Sequence, residues 1–240
     1  MILCLDAGNT RLKWGLRSGD AWLARGALGH DEIDRLIERL PSRPQRILAC
    51  NVAGAVVATR IETLAEALAV PLGWFTSTAA ACGVINGYDD SARLGADRWA
   101  ALIGARSLHA GPALVVMAGT ATTIDVLDAD SRFRGGLILP GLELMRRSLA
   151  RNTAGLPEAR GVYRELPTNT DDAIDSGILH ATLGAIERMA ATQCRPAGAD
   201  FLCLLSGGAA SHLVPFIDLP LQQVDDLVLE GLARAAISSS

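Results

Sequence analysis

Residues 4–14, Cys4-Leu5-Asp6-Ala7-Gly8-Asn9-Thr10-Arg11-Leu12-Lys13-Trp14, carry the chemistry of a phosphate-holding turn. The apolar run Ile2 to Leu5 delivers a carboxylate, and Gly8 lets the backbone turn sharply and present N–H groups to an anion. Thr10 and Lys13 add a hydroxyl and a cation. The spacing is not that of a P-loop, which needs glycine, four residues and then Gly-Lys-Ser/Thr ahead of a helix. Here Arg11 to Leu16 alternate instead like a second strand. An ordinary hairpin would also use Asp-Ala-Gly-Asn as a tight turn, so this segment alone leaves both readings open.

A second copy of the pattern decides between them. Residues 113–125, Ala113-Leu114-Val115-Val116-Met117-Ala118-Gly119-Thr120-Ala121-Thr122-Thr123-Ile124-Asp125, repeat strand, Ala-Gly turn and hydroxyl-rich continuation. Leu5-Asp6-Ala7-Gly8 aligns on Val116-Met117-Ala118-Gly119, about half a chain later. A two-fold repeat that opens each half with such a hairpin implies two similar α/β lobes, 1–111 and 112–240, facing a nucleotide. That architecture resembles the superfamily of actin, sugar kinases and heat-shock chaperone ATPases, whose lobes are ribonuclease H-like. A third glycine turn, Ser206-Gly207-Gly208-Ala209, follows the apolar strand Phe201 to Leu205. In that superfamily such a turn would sit near the adenosine.

The elements that must carry these turns alternate between strand and helix. Ile33, Leu36, Ile37 and Leu40 have helical spacing, and Pro41-Ser42-Arg43-Pro44 stops that helix. Ile47 to Cys50 reads as a buried strand, Val56 to Leu68 as a helix and Leu72 to Phe75 as a strand, an alternation that implies parallel pairing. Val84 to Ser91 reads as loop, and Leu94 to Leu108 as a helix with Trp99, Leu102 and Ile103 on one face. Phe133 to Gly141 is a strand framed by turns, and Ala173 to Met189 and Leu227 to Ile237 are helices.

Bulk properties exclude several classes. A chain of 240 residues, 50% hydrophobic, can bury one large core or two modest ones. Its net charge of −4 offers no general attraction to nucleic acid or an anionic membrane. The apolar runs fall far short of the about 20 residues that span a bilayer, and no basic segment leads into a long apolar one at the N-terminus, so the expectation is a cytoplasmic protein. The five cysteines, Cys4, Cys50, Cys82, Cys194 and Cys203, are scattered with no metal-binding spacing, and Cys4, Cys50 and Cys203 fall in apolar strands as small hydrophobes.

The most polar constellation outside the hairpins is Asn86-Gly87-Tyr88-Asp89-Asp90-Ser91-Ala92-Arg93-Leu94-Gly95-Ala96-Asp97-Arg98-Trp99. Here the chain resembles the type III pantothenate kinases, including the branch once called Bvg accessory factor. That family carries Asp-x-Gly-Asn-Thr/Ser near its start, Gly-Tyr then Leu-Gly-x-Asp-Arg, Gly-Thr-Ala-Thr-Thr-x-Asp, and Gly-Gly-x-Ile-x-Pro-Gly. All four blocks are present in order, the last as Gly135-Gly136-Leu137-Ile138-Leu139-Pro140-Gly141. Likeness extends to Asn51-Val52-Ala53-Gly54, Asn152 to Pro157, Thr170 to Gly177, Ser206-Gly207-Gly208 and Glu230-Gly231-Leu232, nearly the whole length.

The resemblance implies ATP-dependent phosphorylation of pantothenate, the first step of coenzyme A biosynthesis. It places ATP at Asp6, Ala7, Gly8, Asn9, Thr10, Arg11, Leu12, Lys13 and Thr120, with Asp6 positioning the magnesium that ATP carries. Tyr88, Gly95, Ala96, Asp97, Arg98 and Thr170 would contact pantothenate, with Asp97 the general base and Arg98 holding negative charge. Without that likeness, Asp97-Arg98 would read as a surface pair at a helix start. A homodimer is the family expectation, with no nucleic-acid or membrane partner. The competing readings are another small-molecule kinase of the superfamily, such as a sugar or acetate kinase, or a nucleotide-binding regulatory protein that has lost catalysis.

Two departures stand out. The family usually has an aspartate at Met117 that is associated with a potassium or ammonium ion, and a thioether is a poor ligand for a hard cation. Asp89-Asp90-Ser91 stands where Asn-Pro is more usual after the tyrosine. Blander readings apply elsewhere. His30, His109, His180 and His212 read as surface or capping residues, Arg146, Arg147 and Arg151 as a solvated helix face, and Asp125 and Asp128 as strand-end and turn carboxylates. Trp14, Trp22, Trp74 and Trp99 read as packing residues.

Overall fold

Hydrophobic alternation around a glycine turn makes the first hairpin, β1 (Ile2–Ala7) and β2 (Leu12–Ser18), which pair antiparallel with Asp6 opposite Lys13 and Leu5 opposite Trp14. The structure, a computed structural model, describes residues 1–156, 158, 160–194 and 200–238, with the side chains of Cys194 and Ser238 left aside. β3 (Ala21–Leu28) extends the hairpin, a 3-10 turn at His30–Arg35 leads into the short α1 (Leu36–Arg39), and β4 (Arg46–Asn51) runs parallel to β1 with Cys50 beside Asp6. α2 (Ala55–Leu68) follows, burying Val57, Ile61, Leu64, Ala65 and Leu68 on one stripe, and ends where Ala69 turns left-handed at φ 48°. β5 (Leu72–Trp74) then completes a five-stranded sheet of order β3-β2-β1-β4-β5.

Next come β6 (Ala80–Ala81), β7 (Val84–Asn86) and α3 (Ala96–Leu108). The sequence reads Val84 to Ser91 as loop, but its first three residues form β7. They bury Val84 and Asn86 on one face and leave Ile85 40% exposed, an alternation too short to register as periodicity.

The second hairpin is β8 (Ala113–Ala118) and β9 (Ala121–Leu127), with Met117 opposite Thr123. β10 (Arg132–Pro140), α4 (Leu142–Asn152), α5 (Thr170–Met189), β11 (Leu202–Ser206), α6 (Ala210–Leu213), β12 (Leu221–Gln223) and α7 (Leu227–Ser238) complete the chain. Asn169 caps α5 by accepting from the Asp172 N–H at 2.9 Å.

The chain divides into two units, one of Met1–Ala110, Ser131–Phe133 and Asp226–Ser240, the other of Gly111–Asp130 and Arg134–Asp225. In the first, Leu3, Leu5, Leu16, Ile47 and Ile61 form the core, and α7 packs on α3 and on β1, β2 and β4. The α3–α7 approach is close enough that a Cβ on Gly231 would lie 1.8 Å from the Ala100 carbonyl oxygen, so only glycine fits there. In the second unit the strand order is β12-β11-β8-β9-β10, around a core that includes Leu114, Val116, Ile124, Ile178 and Leu205. Both units contain an antiparallel hairpin whose first strand has a parallel neighbour, β4 beside β1 and β11 beside β8. The fold is α/β. Among the described residues no helix is long and apolar enough to cross a membrane.

Candidate active site

In the first unit, the cross-strand register puts Asp6 and Lys13 on the same face of the hairpin. Asp6 is only 9% exposed, and Cys50, next to it on β4, donates its Sγ–H to Oδ1 at 3.4 Å. Burial pushes the Asp6 carboxyl from 3.8 up to about 6, and the charge of Asp97 pushes the same way; the Cys50 hydrogen bond and Lys13 pull it down and Asp226 adds a smaller upward push. Burial likewise raises the Cys50 thiol well above its ordinary value and Cys4 to about 12, so both cysteines are inert thiols. Lys13 Nζ lies 3.2 Å from Asp226 Oδ1, at the start of α7.

The turn between the strands exposes Asn9, Thr10 and Arg11, half-buries Gly8, and buries the Ala7 and Leu12 side chains in the core. Ala7 and Leu12 therefore have only backbone to offer a ligand. The Ala7 carbonyl accepts from Val52 N–H at 3.0 Å, and the Gly8 carbonyl contacts His30 Nε2 at 2.9 Å. His30 is thus no bland surface residue: it is half-buried and tied to the turn.

Asp97 lies in the first turn of α3, where the N-cap Gly95 brings no side-chain cap, and its Oδ1 accepts from the Arg98 N–H at 2.8 Å. Arg98 is 5% exposed, with Nη1 3.3 Å from the Tyr88 hydroxyl and its guanidinium 5.7 Å from the ring centroids of both Tyr88 and Phe133. Those two rings stack at 5.7 Å and 21°. Asn86 fixes the loop that carries Tyr88: its Oδ1 accepts from Tyr88 N–H at 3.0 Å while Nδ2 donates to Ser77 Oγ, the Thr78 carbonyl and the Ser91 carbonyl at 3.0, 3.1 and 3.3 Å. Asp90, in the departure from the family pattern, caps the next 3-10 turn by accepting from Ala92 N–H at 3.1 Å.

The first unit therefore assembles Asp6 to Lys13 together with Tyr88 and Gly95, Ala96, Asp97 and Arg98, whereas Thr120 and Thr170 belong to the second. The sequence reading gave no site role to Asn86, Phe133, Asp226 or His30. Asn86 heads the polar constellation; the others have no local signal.

In the second unit two turns converge on the β8–β9 hairpin. Gly141 N–H donates to the Thr120 carbonyl at 2.9 Å, and Ala209 N–H donates to the Ala118 carbonyl at 3.0 Å. Gly207, at φ 105°, approaches Ala118 so closely that a Cβ there would sit 2.3 Å from its carbonyl oxygen. Three of the sequence blocks, Gly119-Thr120, Pro140-Gly141 and Ser206-Gly207-Gly208, thus meet at one place. Thr120 is exposed beside them. Met117 faces Thr123, whose buried hydroxyl, like that of Thr122, has no partner among the described residues. A thioether and one hydroxyl do not suit a hard monovalent cation, so these side chains do not fit that ion.

Thr170 opens α5, exposed, and helps line a cavity of about 610 Å³ with Pro140, Met145, Leu149, Leu156 and Ile174. Arg146 departs from the solvated face expected of it. Its Nε donates to the buried Asp175 Oδ1 at 2.9 Å and its Nη1 to Glu143 Oε2 at 2.6 Å, while Gly161 N–H donates to Asp175 Oδ2 at 2.6 Å. Asp125, expected at a strand end, is wholly buried.

Comparison with known proteins bears on this arrangement. A family model described as type III pantothenate kinase matches residues 2–192. A type III pantothenate kinase from Aromatoleum aromaticum is 52% identical over 98% of both chains, and one from Dechloromonas aromatica is 47% identical over 100% of both. Among solved structures, a Baf family protein from Campylobacter jejuni superposes with a TM-score of 0.65 at 20% identity, covering 99% of this chain and 98% of that one. MreB5 of Spiroplasma citri, bound to ADP, gives 0.54 at 8% identity, covering 100% and 98%. These last two likenesses concern the fold alone.

Proposed function

The chain belongs to the type III pantothenate kinase family, and from that premise we infer that it transfers the γ-phosphoryl group of ATP to the primary hydroxyl of pantothenate. The products are 4′-phosphopantothenate and ADP, the first step of coenzyme A biosynthesis. The observation that carries this reading is the family match itself, which spans the hairpin, the Tyr88–Arg98 segment and the second hairpin.

The residue roles are our proposal. The backbone of residues 6–13, with Thr10 and Lys13, holds phosphate, and Thr120 does so from the second hairpin. Asp97 accepts the hydroxyl proton of pantothenate as the new O–P bond forms and the bond from phosphorus to the ADP oxygen breaks. Arg98, held by Tyr88 and Phe133, supplies fixed positive charge for the substrate, and Thr170 hydrogen-bonds it. Asp6 suits a magnesium ion that arrives with ATP: burial and the neighbouring carboxylates disfavour its ionised form, and a cation restores it. No group of three or more His, Cys, Asp or Glu gathers for a metal among the described residues, which accords with an ion whose other ligands are phosphate and water. When bound, such an ion neutralises phosphate charge. We place the enzyme in the cytoplasm as a homodimer, an expectation that rests on the family likeness.

The test is a coupled ADP-release assay with purified protein, ATP, magnesium and pantothenate, with the product mass measured. Pantothenate-dependent ADP release with a phosphorylated product is expected. Turnover of a sugar or acetate but not of pantothenate would overturn the assignment.

A further inference from the structure

The carbonyl contacts of the first turn set the direction of its amides. A carbonyl oxygen only accepts, so the His30 ring donates to Gly8, and Nε2 must carry the proton. In a trans peptide plane the C=O and the following N–H point in opposite directions. Holding the Ala7 carbonyl toward Val52 therefore aims the Gly8 N–H away from Val52, and holding the Gly8 carbonyl toward His30 aims the Asn9 N–H away from His30. Glycine offers no steric resistance to rotation of its peptide planes, so the contact from His30 adds a restraint on the Gly8 carbonyl that the residue itself does not supply.

The backbone of His30 is well placed to supply it. Gly29 N–H donates to Glu32 Oε2 at 3.2 Å, Glu32 N–H donates back to the Gly29 carbonyl at 3.1 Å, and Leu28, Ile33 and Leu36 on either side are buried in the core. The imidazole thus reaches from a fixed base to a carbonyl far away in sequence.

We propose that His30 is a positioning residue for ATP use, one that pre-orients the Asn9 amide toward the phosphates by holding the Gly8 carbonyl. This rests on the reading that residues 6–13 hold phosphate.

The experiment compares His30→Gln, which keeps a side-chain N–H donor, with His30→Met, which keeps similar bulk without one, and uses Lys13→Ala as a probe of the phosphate site itself. The readouts are KM for ATP, KM for pantothenate, and calorimetric affinities for ADP and adenosine. His30→Met should raise KM for ATP and weaken ADP by up to about ten-fold, the worth of one hydrogen bond, while pantothenate and adenosine are unaffected. His30→Gln should recover most of that loss. Unchanged ATP and ADP parameters in His30→Met, alongside a clear loss in Lys13→Ala, would overturn the role of His30 and leave the phosphate site standing. No loss in either variant would overturn the phosphate site. Parallel losses for adenosine and pantothenate, or a Gln variant as poor as the Met one, would reduce His30 to a packing residue and end the proposal.

Discussion

Lys13 and Asp226, from opposite ends of the sequence, form an ion pair of 3.2 Å in which both side chains are mostly buried, 29% and 19% exposed. Arg25 stands 3.9 Å from the same carboxylate, and Glu230, one helical turn on, accepts from Trp22 Nε1 at 2.7 Å and Arg17 Nη1 at 3.2 Å. The cation of the phosphate turn is therefore oriented by the N-terminus of α7. An ammonium has three donors, so it can keep Asp226 and still meet a phosphate.

Asp226→Asn should raise KM for ATP several-fold by releasing a side chain whose ordering costs up to about 2 kcal/mol. The partial exposure of the pair holds the stability loss to ~1 kcal/mol or less. In a Lys13→Ala background the substitution should add nothing. Additive losses in the double variant would show that Asp226 acts through something other than Lys13.

Asp97→Asn is nearly isosteric and removes the proposed base, so the fold should persist while kcat falls by about 10²–10⁴. Circular dichroism and steady-state turnover decide the matter. Near-normal turnover would remove Asp97 from the mechanism.

The raised Asp6 carboxyl makes ligand-free stability depend on pH. The folded state binds this proton more tightly than the unfolded state, so the group is harmless below its ordinary 3.8 and increasingly destabilising as pH rises toward its folded value of about 6. A shift of about two units corresponds to at most ~3 kcal/mol, present in full above that value. Asp6→Asn should accordingly be more stable than the parent near neutral pH, with the advantage shrinking toward pH ~4, and should use magnesium-ATP poorly. Urea unfolding across that range checks it; a constant offset at every pH would contradict it.

Met117→Asp places a carboxylate opposite the Thr123 hydroxyl, which has no partner among the described residues. At this half-buried position an ionised side chain without a counter-ion is unfavourable, so the variant should lose thermal stability in cation-free buffer and regain it in potassium. The parent should respond weakly. The measurement is activity and thermal midpoint of both proteins over a potassium series at fixed ionic strength. Strong potassium activation of the parent would show that backbone oxygens or another carboxylate already hold the ion.

Legibility in the sequence followed how local each signal was. The two hairpins announce themselves because strand, glycine turn and strand lie within a dozen residues, and their repetition conveyed the α/β architecture, whereas the pairing of β4 with β1 and of β11 with β8 joins segments too distant to be read from either hairpin. The Tyr88–Arg98 block was visible as a polar island. Its support was not: Phe133, which stacks on Tyr88, sits in an ordinary strand pattern and becomes meaningful only once β10 starts alongside β7. β7 itself is three residues long, below the length at which alternation can be counted. His30 lacked any neighbour in sequence to suggest its contact with Gly8, and Arg146 looked solvated until Asp175, on another helix, drew it inward. Contacts between distant segments leave no periodic trace.

The place of α7 in the first unit bears on how the protein comes into being. Leu227, Leu229, Leu232 and Ala233 are fully buried there, so this helix covers apolar surface of strands that lie far before it in the sequence. On the ribosome, where chains emerge N-terminus first, β1, β2 and β4 wait with that surface bare until α7 has been translated. The second unit, whose residues end at Asp225, can close earlier. The half that begins first thus finishes last, and its nascent form is the one that a chaperone has most reason to guard.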